Sequence, residues 1–245
     1  MIKYILIAVI VLNLASCSIF RSTKNEVQQN ETIEISNEKS DFLAEMSFIK
    51  GKSFNNPTFV VWLEDLNGNY IKTIYITKSY ASATFKHAAL SDTTWSDKAG
   101  QSIKPSALPY WTHKKGKLKD GNLVPTQESP FVDAFSGATP KSNFTIKSNI
   151  GNNNEMFNLL VEVNQTWDWN EFWTNAKYPE SKNYKYSAQP SLIYSARISK
   201  EEAEIYLNPV GHGDAKGETG KLFTDISTLT SAKEIFEKII VRIQK

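Results

Sequence analysis

The residues best able to do chemistry cluster in Val132-Asp-Ala-Phe-Ser-Gly-Ala-Thr-Pro140. Thr139 offers a hydroxyl that is a poor nucleophile unaided, so a base from another molecule must deprotonate it. Gly137 and Ala138 present little side chain and allow close approach. Asp133 and Ser136 are turn-capping types, which predicts a bend that holds Thr139 outward. The same residues equally suit a tight Ser-Gly turn needed only for the fold. His113, in Trp111-Thr-His-Lys-Lys115, is close in sequence and suits contact with a phosphate beside Lys114; a solvated basic loop is the plainer reading. His212 sits in Gly211-His-Gly-Asp214, where glycines permit backbone approach to an anion or a ring.

Other chemistries fail on spacing or composition. A phosphate loop is excluded, because Ala215 stands five before Gly220 and Leu222 stands where Ser or Thr is required. His212 and Asp214 make half a metal site, and no histidine pair has helical spacing. A single cysteine excludes an internal disulfide framework, a thiolate zinc site and an iron–sulfur cluster. Trp167, Trp169, Phe172 and Trp173 suit stacking on a planar ring or a sugar. Alternation puts Trp167 and Trp169 on one face of an extended segment, which is also how a strand fills a core. Asp168 and Glu171 invite a reading as paired carboxylates for glycoside hydrolysis, but nothing fixes their separation. With 28 basic against 26 acidic side chains, the net charge of +2 gives no case for nucleic acid.

Three resemblances add to this. Asp133, Ser136, Gly137, Ala138 and Thr139 match the acceptor motif of covalently flavinylated extracytoplasmic proteins: Asp, two free positions, Ser or Thr, Gly, Ala, Thr. The resemblance implies FMN as cofactor, moved from FAD onto Thr139 by a magnesium-dependent flavin transferase through a phosphodiester bond. It departs from the pattern at Pro140, where carriers usually have Ser or Thr, and in the strand-like run after it. Leu14-Ala-Ser-Cys17, following the short apolar run Tyr4–Leu12, resembles the lipobox of bacterial lipoprotein signal peptides. That implies a leader over 1–16, lipid on Cys17, and an envelope protein facing away from the cytoplasm and anchored to a membrane. Finally, Pro57–Asp65, Leu108–Gly116, Val132–Pro140, Gln165–Glu171 and Val210–Gly213 are similar to a periplasmic family known as domain of unknown function 2271. Its members look like immunoglobulin-like sandwiches, often encoded near membrane PepSY-type reductases and iron-uptake genes. The resemblance implies a carrier passing electrons to or from a membrane redox protein. The rival reading is a binding module without cofactor.

The elements that must position these residues read mostly as strands. Residues 17–42 are polar with no strong period and predict a tether. Beyond it, Glu45–Lys50, Pro57–Asp65, Tyr70–Thr77, Ser142–Ser148, Met156–Gln165, Ser191–Ile198 and Ile239–Ile243 carry strand patterns. Asn67-Gly68 makes a hairpin of the second and third. Short helical turns are expected at Ser199–Glu204, with Ser199 and Glu202 as a capping pair, and at Ser231–Phe236. Many strands without strand–helix alternation predict one mainly β domain over 43–245, an immunoglobulin-like antiparallel sandwich with one or two short helices. Two long loops, about Ser91–Phe131 and Trp167–Gln189, are rich in aromatic residues and so read as functional.

Overall fold

The computed structural model describes residues 30–35, 42–91, 94–151, 156–199, 201 and 203–244. The leader, Cys17 and most of the expected tether lie outside them. In chain order the first half holds β1 (Glu31–Ile35), β2 (Phe42–Lys50), β3 (Thr58–Glu64), β4 (Tyr70–Thr77), α1 (Lys78–Ala81), β5 (Thr84–Phe85), β6 (Gly100–Gln101) and α2 (Pro109–Lys115). The second half holds β7 (Phe135–Gly137), β8 (Phe144–Gly151), β9 (Phe157–Asn164), α3 (Lys182–Ser187), β10 (Leu192–Ile198), β11 (Glu204–Tyr206) and β12 (Asn208–His212). A 3-10 turn (Ser231–Glu234) and β13 (Phe236–Gln244) complete it.

The chain is a β-sandwich. One sheet runs β1-β8-β2-β13-β11, the other β12-β10-β9-β3-β4-β7, and β5 with β6 makes a small ribbon. Between the sheets lies an aromatic core in which Phe48, Phe59, Phe144 and Phe236 touch one another. The expectation of a purely antiparallel sandwich needs correction at two edges, where β1 joins β8 and β7 joins β4 in parallel. Both are short strands, and β7 arrives after a long connection, so neither sense of pairing is imposed by a tight hairpin.

The two sheets meet water differently, and their sequences follow. β2 and β8 alternate buried and half-buried residues, as a sheet with one solvated face must. On that face Glu45 lies opposite Lys147 and Arg242, with the Lys147 ammonium 2.7 Å from its carboxylate. β3 is buried at every position because the second sheet is covered on both faces. A second apolar cluster of Val60, Trp62, Leu160, Trp111 and Phe131 fills the space between that sheet and α2.

Four local expectations change. Glu31–Ile35, inside the expected tether, is an edge strand, because Ile35 buries itself and Ile33 packs on the core. Of the helical turn expected at Ser199–Glu204, Lys200 and Glu202 lie outside the described residues, and Glu204 opens β11, whose Ile205 packs on the core and which pairs with β13. The Asp133–Thr139 bend is largely extended, with β7 in its middle. Trp167 and Trp169 do not share a face, since Trp167 adopts φ 58° and breaks the alternation.

Candidate cofactor-attachment site and the aromatic cleft beside it

The segment around Thr139 is fixed by backbone pairing at the sheet edge. Phe135, Ser136 and Gly137 lie beside Tyr75, Ile76 and Thr77 of β4. Gly137 is required there by space, because a Cβ would lie 2.8 Å from the hydroxyl oxygen of the fully buried Tyr75. That hydroxyl donates to the Ala138 carbonyl at 2.9 Å, and the Tyr75 ring stacks on the partly exposed Phe135. Ala138 is exposed, while Ser136, Gly137 and Thr139 are half-buried. The Thr139 hydroxyl donates to the Pro57 carbonyl at 2.9 Å. A net hydrogen bond of that kind is worth about 1 kcal/mol, so it orients the oxygen without locking it away.

Asp133 does not join this arrangement. It lies before β7, exposed, on a lysine-rich cleft of about 400 Å³ that also carries Lys72, Lys115, Lys117 and Lys119. Ser136 lies within β7 and Asp133 before it, so the two do not cap one turn.

Pro57 leads to the feature that matters most. Its chain neighbours Asn56 and Thr58, with Ser79 just after β4, line a cleft of about 290 Å³ whose walls include Phe85, Trp95 and Trp167. This is the small end of ligand pockets, which run about 300–1,000 Å³, and it suits a ring system better than a whole dinucleotide. Trp95 and Trp167 meet edge to face at 5.3 Å, and Trp95 also meets Tyr186. The Trp167 ring stays 47% exposed even though its backbone amide is tied to the Tyr186 carbonyl. Asn56 (φ 55°) and Trp167 are two of the four non-glycine described residues with left-handed backbone. For a bulky side chain that conformation is strained, and the surrounding structure must impose it.

Lys104 closes the cleft. It is 9% exposed, and its ammonium lies 3.9 Å from the centre of the Phe85 ring and 3.4 Å from the Thr166 hydroxyl. Burial pushes it down to about 8. Sequence reasoning missed Lys104, because a lysine in a polar loop ordinarily reads as solvated. The aromatic density of the two long loops was the only signal that could have found the site.

The two histidines lie elsewhere. Paired residues run Gly211–Ile193–Glu162–Val60–Ile76–Ser136 in one row across all six strands. Five interstrand steps of about 4.8 Å place the His212 end about 24 Å from the Thr139 end. His212 stacks on Phe223 and meets Trp173, lining a larger cleft of about 540 Å³ with Phe172, Lys177 and Lys221. Its Nδ1 hydrogen-bonds the Gly213 carbonyl, and burial holds the ring below the usual imidazole range. His113 is turned back onto the Pro109 carbonyl and packs against Gly220, while the Lys114 ammonium donates to the Gly68 carbonyl. The structure therefore brings neither histidine to Thr139. Asp214 spends its carboxylate on Lys216, Thr219 and its own loop. Among the described residues no group of three or more His, Cys, Asp or Glu is placed to hold a metal ion.

The two carboxylates of the paired reading sit in different environments. Asp168 is half-buried, raised by that burial, and accepts from the Ser231 hydroxyl; Glu171 is exposed. A carboxylate that sequence reasoning passed over, Glu162 of β9, is fully buried under α2. It accepts from the Tyr110 and Trp111 amides and the Ser191 hydroxyl.

No protein-family model, curated protein or solved structure matches the chain.

Proposed function

We propose that this protein is an envelope lipoprotein, anchored through Cys17, that carries FMN covalently on Thr139. It would exchange electrons with a membrane redox protein, as members of the domain-2271 family are placed to do. One observation carries the reading. A half-buried threonine hydroxyl at a sheet edge is hydrogen-bonded to Pro57, and both chain neighbours of Pro57 line a cleft walled by Trp95, Trp167 and Phe85. A group attached at that oxygen would start one residue away from the lining of this aromatic cleft.

The residues fit the group chemically. Ala138 is exposed and Gly137 has no side chain, so a transferase can reach the segment. Release of the Thr139 hydroxyl from Pro57 asks for about 1 kcal/mol. In the attachment, the Thr139 oxygen bonds to the FMN phosphorus of FAD as the bond to AMP breaks. AMP leaves, and the hydroxyl proton passes to a base on the transferase. The bound flavin would supply the redox chemistry, while this chain supplies position and shielding. Asn56 and Thr58 offer polar contacts, and Trp95, Trp167 and Phe85 offer stacking surface.

Exporting the full chain from a host that contains a flavin transferase, and weighing it intact, tests the proposal. Wild type should gain one FMN adduct and Thr139→Ala none; an unmodified wild type, in a host shown to flavinylate another carrier, ends the reading.

A second reading has its own support. The larger cleft around His212, with Phe172, Trp173 and Phe223 beside Lys177 and Lys221, fits a binding module that needs no attached cofactor. Such a protein would be colourless when exported from the same host.

A further inference from the structure

Lys104 is the buried cation of the described fold that most lacks a counter-charge. No carboxylate of the described residues lies within ion-pair distance of it, and the residues lining its cleft include no acid at all. The other ionisable groups facing the cleft, Lys86 and His87, add positive charge or none. Lys115 makes a useful contrast. It is half-buried and also pushed down to about 8, but its ammonium donates to the Gly116 and Leu123 carbonyls and rests near Trp111 and Phe131. Lys104 has one long hydrogen bond, the Phe85 ring and, farther off, the Tyr186 ring. Removing an ammonium from water is costly, and cation–π contacts return only part of that cost. The balance is unfavourable until an anion arrives.

We infer that the Lys104 cleft is a receptor for a planar aromatic anion, gripped by Trp95, Trp167 and Phe85 and neutralised by the Lys104 ammonium. The inference rests on the preceding reading only in naming the ligand: the anion is then the flavin nucleotide tethered at Thr139, whose negative charge sits on its phosphate. Lys104 is a positioning and charge-matching residue in this account. The left-handed backbone at Trp167, strained for a bulky side chain, fits the same role.

The test uses full-length Thr139→Ala protein, which cannot take the covalent adduct, titrated with FMN, riboflavin and inorganic phosphate. Tryptophan fluorescence and the flavin absorption band report binding. FMN should bind saturably below about 1 mM, the effective concentration a short tether supplies. Adding Lys104→Met should weaken FMN by roughly tenfold or more, and Lys104→Arg should preserve most of the affinity. Oxidised riboflavin carries no charge, so its binding should be indifferent to Lys104, and the Lys104 dependence should appear with FMN or phosphate; riboflavin binding that falls as steeply would overturn the charge match. The ligand-free Lys104→Met protein should melt at or above the parent's temperature, because a costly unpaired charge is gone.

No saturable FMN binding, an affinity indifferent to Lys104, or a lower melting temperature with unchanged affinity would overturn the inference. Its failure is separable from that of the attachment reading. Binding without an adduct on wild type removes the covalent carrier and keeps the receptor. An adduct on wild type, with no role for Lys104 in binding, does the reverse.

Discussion

Glu162 shows how this fold uses a buried acid for structure. Its carboxylate takes the Tyr110 and Trp111 amides at 3.2 and 2.7 Å, and so fastens α2 over the second sheet. Glu162→Ala would leave those amides and the Ser191 hydroxyl without an acceptor, so it should cost about 3 kcal/mol in urea unfolding. Burial pushes Glu162 up to about 7, above its ordinary carboxylate value. The stability it contributes is therefore full below about pH 4.5 and is lost as pH rises through about 7. Lys104 works with the opposite sign. Its folded value of about 8 lies below the unfolded value of 10.5, so the unfolded chain binds the extra proton between them. Stability of the ligand-free protein should rise from pH 8 to pH 9.5, and Lys104→Met should flatten part of that rise, Lys115 supplying the rest. A slope that the substitution leaves untouched would remove Lys104 from the ledger of titrating groups.

At the level of elements, β7 is the piece on which the candidate site depends. It is three residues long and held by parallel pairing to β4 and by the Tyr75 hydroxyl on Ala138. Gly137→Ala would press a methyl onto that hydroxyl, so β7 should lift from the edge at a local cost of about 1–3 kcal/mol. Hydrogen exchange at residues 135–139 should speed up far more than exchange in β3 or β9. This element was not legible in the sequence, and the reason is physical. A three-residue strand has no period to read, and Ser136-Gly137 carries turn chemistry whichever way it is used. The β3–β4 hairpin was legible because Asn67-Gly68 supplies the left-handed residue its turn needs, with Gly68 at φ 81°. α2 was hidden for another reason. Leu108 offers no side-chain cap, and Tyr110 and Trp111 look like loop aromatics until the sheet beneath them is in place.

Across the whole molecule, the aromatic clefts open at different places on one sheet: the Lys104 cleft where β3 begins and β9 ends, the larger cleft beside β12. The sheet order puts β12 and β7 five strands apart, so the aromatic-rich loops that look like one cluster in sequence divide in space. Trp95 and Trp167 line the cleft at the ends of β3 and β9, while Phe172 and Trp173 line the cleft beside His212. Sequence spacing could not reveal that division, because it follows from strand order and not from local pattern. His212 and Thr139 lie about 24 Å apart and no residue lines both clefts, so the two sites should respond independently to substitution. Phe172→Ala and His212→Ala should therefore leave flavin loading of the exported protein unchanged. Loss of loading in either would mean that the two edges communicate.

The account turns on one oxygen carrying one group. Tryptic digestion of protein exported in the presence of a flavin transferase releases the peptide from Asp120 to Lys141, which holds Thr126, Ser129, Ser136 and Thr139. Fragmentation mass spectrometry of that peptide should place an FMN phosphodiester on Thr139 and on no other hydroxyl. An unmodified peptide, or flavin on Thr126, Ser129 or Ser136, would contradict the account.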